Sequence, residues 1–191
     1  MIERVAQFLL EVLVQPYAAL LLARFHLQWL RAPLHNPLGE FITLLTNPLV
    51  LPAQRVIPSF RLLDAAALFL AFLVELAYLA ASLWLHDVPL DILLLSGWAV
   101  LRLLKISIYI LMAALFVEAF LSWTNPHAPF APVLKSITLP FLRPLRRFVP
   151  QAGSLDFSFL IMFFLCYIIL ALPFGALEDL ILEQVLASAP K

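Results

Sequence analysis

The sequence predicts an all-α membrane protein: four transmembrane helices arranged as two parallel repeats of two, each with a proline-rich cytoplasmic loop that contains a short amphipathic helix. Three observations carry this expectation. Of the 191 residues, 64% are hydrophobic and 13% charged, and the mean hydropathy of +1.01 exceeds what a soluble domain can bury. Four stretches, near 5–27, 62–85, 92–123 and 157–177, reach the roughly 20 apolar residues needed to cross a hydrocarbon core. A constant offset of 92 residues then pairs His35 with His127, Pro37 with Pro129, Thr46 with Thr138, Pro48 with Pro140, Pro52 with Pro144, Arg55 with Arg147, Pro58 with Pro150 and Asp64 with Asp156, without a gap. The repeats are therefore residues 1–91 and 92–191. Each holds an even number of spans, so both face the same way. Membrane β-strands would alternate apolar and polar residues, whereas 68–74 and 161–170 are apolar on every side.

In chain order, the first span carries Glu11, Gln15 and Pro16 in its outer half and ends at Arg24, His26 and Trp29, a polar and aromatic boundary suited to an interface. Its start, with Glu3 and Arg4 and no small-residue cleavage site before Gln15, predicts a retained helix rather than a removable signal peptide. A turn at Pro33–Pro37 leads into apolar residues 38, 41, 42 and 45, the spacing of a short amphipathic helix. Asn47 and Pro48 should end that helix, Pro52 should open another and Pro58 should close it, with Asp64 capping the second span.

The second span is interrupted only by Glu75, and the connector 87–91 is short and acidic. The third apolar segment, 92–123, would be about 48 Å long as a helix against a core of about 30 Å. It must tilt, or else break near Arg102 and Lys105 so that its first part lies in the interface. The second proline loop then runs from Asn125 to Asp156 and leads into the fourth span.

Charge placement sets the expected orientation. Formal net charge is zero, so no global field recruits nucleic acid. The proline loops hold Arg31, Arg55 and Arg61, and Lys135, Arg143, Arg146 and Arg147, while the connector has no basic residue. By the positive-inside rule the loops are cytoplasmic and both termini lie outside; Arg102 and Lys105 argue against this.

The run Pro140, Pro144, Arg146, Arg147, Pro150, Gly153, Asp156, Ser158, preceded by Ser122 and Trp123, resembles the YggT family, as does the duplicated layout over essentially the whole chain. The first repeat departs from that pattern, with Gln54, Arg61 and Ala66 in place of arginine, glycine and serine. The resemblance implies a small multi-pass protein of the bacterial inner (plasma) membrane, with relatives in chloroplasts. It also implies roles of the kinds proposed for such proteins: ion and osmotic homeostasis, division or nucleoid placement, and assembly of membrane complexes that include a haem-bearing cytochrome.

Each group of polar residues has a functional and a structural reading. Arg55, Arg143, Arg146 and Arg147 match lipid phosphates or a partner protein through the guanidinium fork, or they anchor topology. Asp64 and Asp156 fit helix caps; the alternatives are pairing with Arg55 and Arg147 or holding a cation. Glu11, Arg102 and Lys105 form an expected intramembrane charge cluster with Glu75 as a further partner, either locking the bundle or lining a route for ions. Arg24 and Glu118 should snorkel to water. The four histidines are scattered and Cys166 is the single cysteine, so no metal site and no cofactor is expected. Without a phosphate loop, nucleophile elbow or zinc motif, the chain reads as non-enzymatic. Expected partners are membrane lipids with anionic headgroups, an unidentified membrane protein, or further copies in a homo-oligomer. Two functions follow: an adaptor or assembly and homeostasis factor, or a transporter or channel component.

Overall fold

The computed structural model describes residues 2–57, 64–86, 88–89, 91–125, 127–147 and 157–188. The described residues are helical, with no strand among them: α1 (Ile2–Trp29), α2 (Pro37–Gln54), α3 (Ala65–Leu85), α4 (Ile92–Thr124), α5 (Ala131–Arg146), α6 (Phe157–Ile169) and α7 (Gly175–Ser188). A π-helical turn, Leu170–Phe174, joins α6 to α7. Pro173 explains it, because a proline cannot donate to the carbonyl one turn back and the helix widens by a residue to pass it. Four helical stretches are long and apolar enough to cross a membrane: Arg4–Trp29, Ala65–Leu85, Ile92–Thr124 and Phe157–Val185. This is the layout of a multi-pass membrane protein.

One expected boundary is corrected and one open alternative is decided. The helix expected to end at Asn47 and Pro48, and to restart at Pro52, is instead one element, α2, running through both prolines. Pro48 and Pro52 are one turn apart and both exposed. The carbonyls they leave free therefore open onto the outer face of the helix rather than into the core. Pro140 and Pro144 of α5 are exposed in the same way. Of the two alternatives for the third apolar segment, α4 takes the unbroken one: it is a continuous helix of 33 residues, with no break at Arg102 or Lys105. Both cations are met by acidic partners on neighbouring helices, so α4 has no need to open to hydrate them. The expected closing of α2 at Pro58 and the cap at Asp156 lie outside the described residues.

Packing follows residue size. α1 lies closest along α3, where Ala18, Ala66, Ala67 and Ala71 are fully buried. Small side chains let helices approach in lipid, where no water-driven force holds them together. A second apolar cluster joins α1 and α4 to α5 and α6 through Leu27, Leu115, Val133, Leu142, Met162 and Cys166. The fourth span is the most peripheral: its most apolar window is only 6% buried, against 33% for α3. The two loop helices bury matching residues 92 positions apart: Ile42 and Leu134, Thr46 and Thr138, Val50 and Leu142. The helices that follow them start at 65 and 157, the same distance apart.

Two turn residues generate predictions. α1 ends in a Schellman arrangement, with Ala32 N donating to Leu27 O (2.8 Å) and Arg31 N to Gln28 O (3.0 Å). This puts Arg31 at φ 53°, a conformation that favours glycine. Arg31→Gly should raise stability by about 0.5–1 kcal/mol, read as a higher melting temperature in detergent. Gly39 sits under the preceding turn, and a Cβ there would lie 2.3 Å from Leu34 O. Gly39→Ala should lower stability by about 1–3 kcal/mol, since backbone rather than a flexible side chain must move.

Candidate functional site

The described polar side chains gather at three places. The first is a buried node that ties α1, α2 and α3 together. Arg24, 5% exposed, donates through Nε to Asp64 Oδ2 (3.0 Å) and through Nη1 to Thr46 Oγ1 (2.9 Å) and Asn47 Oδ1 (2.7 Å). Asp64 Oδ2 also accepts from Gln54 Nε2 (3.0 Å) and Gln28 Nε2 (3.3 Å), while Asp64 Oδ1 caps α3 by accepting from Ala67 N (3.1 Å). Thr46 passes its own proton back to Ile42 O (2.7 Å). Arg24 was expected to snorkel to water. It is buried instead, because the fork of guanidinium donors finds its acceptors inside the fold. Asp64 caps its helix as expected but pairs with Arg24; Arg55 is exposed at the C-terminal end of α2.

The second repeat uses the same place with different charge. Thr138, the counterpart of Thr46, donates its hydroxyl to Glu118, which is buried at 7% exposure rather than reaching for water. The position matching Gln54 is Arg146, whose guanidinium lies 5.5 Å from the Phe159 ring centroid on α6. Lys135, Arg143 and Arg147 are exposed on α5. With Leu139 they recur every fourth residue and form one stripe along the helix. Arg55, Arg143, Arg146 and Arg147 thus do not converge on a single pocket. Three are exposed and Arg146 is half-buried against α6.

The third place lies between α1, α3, α4 and α7, around Glu75 and Lys105. Glu75, fully buried, accepts from Arg102 Nε at 2.9 Å and from Gln15 Nε2 at 3.5 Å, both on Oε2. The Tyr78 ring lies 4.9 Å from the Arg102 guanidinium carbon. Lys105 pairs with Glu178 on α7 at 2.5 Å. The cluster expected around Glu11 is therefore corrected: Glu11 is exposed and makes no ion pair among the described residues. Gln15, one turn further along α1, is the residue that faces Glu75. Glu178 gave no signal in the sequence because the fourth span was expected to end at 177; its helical continuation past Pro173 would have exposed it.

The histidines stay apart. His26 lies within hydrogen-bond distance of Leu22 O through Nδ1 (2.7 Å), and His35, His86 and His127 are exposed. Among the described residues, no group of three His, Cys, Asp or Glu side chains is placed to hold a metal ion.

The node makes a stability prediction. Asp64→Asn keeps a good capping residue but strands Arg24 as a buried, unpaired cation, which should cost about 3–5 kcal/mol. Combining it with Arg24→Met should cost less than the sum of the two single changes. Arg55→Gln should stay within about 0.5 kcal/mol of the parent. Thermal unfolding of the four variants in one detergent measures all of this.

Comparison with known proteins places this architecture. The CCB3/YggT family model matches the chain over two segments, residues 4–85 and 97–177, in keeping with a tandem duplication. The uncharacterized protein YggT of Escherichia coli K12 is 34% identical over 164 residues, covering 85% of each chain. The uncharacterized protein PA0392 of Pseudomonas aeruginosa is 33% identical over 157 residues, 80% of each chain. A Vibrio alginolyticus protein from the proC 3' region is 32% identical over 162 residues, 82% of this chain and 86% of its own. No solved structure matches the chain. Two family segments, each holding a span, a proline-bearing helix and a second span, cover most of the sequence: the chain belongs to the CCB3/YggT family.

Proposed function

We propose that this protein is a non-catalytic inner-membrane adaptor or assembly and homeostasis factor that presents its proline–arginine helices at the cytoplasmic face to anionic lipid or to a membrane protein partner. In this reading the repeats are parallel, both proline loops lie inside and both termini outside, as the basic residues of the loops require. The observation that carries it is the contrast in how charge is used. Within the bundle, Arg24, Arg102 and Lys105 each meet an acidic partner. On α5, Lys135, Arg143 and Arg147 stand exposed along one stripe beside the exposed rings of Pro140 and Pro144. Internally neutralised charge holds a bundle together, and outward-facing charge is available to something else. Basic residues at an anionic surface contribute about 1 kcal/mol each, and a proline-stiffened helix loses little entropy on binding.

Photocrosslinkers placed at Arg143 and Arg147 in native membranes should recover a defined protein or anionic lipid, while one placed at Glu40, at the start of α2, should not. Equal, non-specific recovery from all three positions would count against the proposal. A transporter reading is favoured by one observation: Glu75 Oε1 is buried without a hydrogen-bond partner, and a carboxylate held that way in a membrane commonly handles ions or protons. If Glu75 serves transport, Glu75→Gln should alter ion flux in liposomes. Unchanged flux with a lower melting temperature assigns the Glu75–Arg102 pair to stability.

A further inference from the structure

A groove of about 1170 Å³ is lined by both halves of the chain: by α1 and α3, by α4 and α5, and by Phe174 of the π turn. That is above the roughly 300–1,000 Å³ of ordinary small-molecule pockets. Among the described residues, apart from the indole of Trp29, its wall has only two polar side chains, His26 and Ser107, and each already has a backbone partner: Leu22 O at 2.7 Å and Leu103 O at 2.8 Å. The wall therefore offers hydrocarbon contact and almost no hydrogen bonds, which suits acyl chains and not hydrated ions.

One end of the groove supplies what the wall lacks. Trp29, Leu30, Val56 and Ile57 line it, with Trp29 54% and Val56 81% exposed, and the two stretches meet because Gln28 and Gln54, just before them, both donate to Asp64 Oδ2. Arg31 follows Leu30, and Arg55 precedes Val56. Both arginines are exposed, and neither makes an ion pair among the described residues. The nearby Asp64 is fully buried and committed to Arg24. Phe25 and Trp29 stack with centroids 6.1 Å apart and His26 meets Phe25 edge-on, an aromatic cluster of the kind found at the headgroup level.

We propose that this groove holds an anionic glycerophospholipid, its acyl chains against the apolar wall between the halves and its phosphate between Arg31 and Arg55. Guanidinium forks match phosphate oxygens, and two unopposed cations at the open end select an anionic headgroup over a zwitterionic one. The inference extends the lipid arm of the proposed function to a defined site distinct from the α5 stripe.

The test is native mass spectrometry of the protein released from nanodiscs containing one part phosphatidylglycerol to three parts phosphatidylcholine. The parent should retain one phosphatidylglycerol per chain, well above its share of the bilayer. Arg31→Gln with Arg55→Gln should lower the preference for phosphatidylglycerol over phosphatidylcholine by roughly tenfold or more. Leu104→Trp, which fills the groove from an exposed position, should reduce retention of either lipid, with circular dichroism confirming a folded chain. Glu40→Gln, at an exposed position of α2, should leave retention unchanged, and Arg143→Gln with Arg147→Gln puts the α5 surface through the same assay. Retention that mirrors the bulk composition in the parent, or that survives both groove variants, overturns the proposal. Retention lost only with the α5 variant also overturns it, while leaving the α5 surface as the lipid-binding element.

Discussion

The architecture depends on Arg24. A guanidinium brought from water into a low-dielectric interior loses hydration worth several kcal/mol, and it is tolerated only where the protein replaces that hydration. Here α2 and α3 supply the replacement: Thr46 and Asn47 from the loop helix, and Asp64 from the cap of the next span. The same aspartate orders the first turn of α3 and gathers Gln28 and Gln54. The proline helix is thereby held against the spans by a polar contact of fixed geometry, beside the apolar burial of Ile42 and Val50. Apolar packing alone would hold α2 weakly, because lipid tails solvate leucine as well as a neighbouring helix does.

The two repeats keep the position of this contact and change its charge. Thr46 and Thr138 are both fully buried, one receiving a bond from a cation and the other donating to an acid. In the first repeat the span carries the cation and the loop helix carries neutral Gln54; in the second the span carries Glu118 and the loop helix carries Arg146. A duplicated backbone thus tolerates a reversal of sign where the loop helix meets the span. The reversal leaves the two loop helices unlike on their outer faces: Phe41, Leu44, Leu49 and Leu51 are exposed on α2, whereas Lys135, Arg143 and Arg147 are exposed on α5. An apolar face suits the acyl region of a membrane and a basic one its charged surface.

Much of the fold was legible because the bilayer demands long apolar runs and the duplication leaves a register. The four spans and the cap at Asp64 rest on that kind of local signal. What was not legible is pairing across helices. Arg24 sits near a span end, where snorkelling satisfies a sequence argument equally well; only the approach of α2 shows why it is buried. Glu11 and Gln15 differ by one turn, and hydropathy does not say which faces Glu75. The prolines of α2 were read as helix breaks because proline removes a hydrogen bond. Their spacing of four residues, which puts both on the exposed side, mattered more than their number.

The groove follows from the same economy of packing. α3 lies against α1 with alanines and so approaches it closely, and α5 and α6 draw α4 toward the second half. α4 also packs on α3 and α1, and the groove left between these contacts is apolar in a chain whose cations within the spans are matched by acids. Arg31 and Arg55, beside its lining residues Leu30 and Val56, make no such pair among the described residues. Arg31 moreover holds the left-handed position that ends α1, where glycine would be less strained. An arginine kept at a conformational cost, beside an exposed tryptophan at the mouth of a hydrocarbon-lined groove, has a reason in the anionic headgroup it can hold there. A topological anchor would need its charge but not that position.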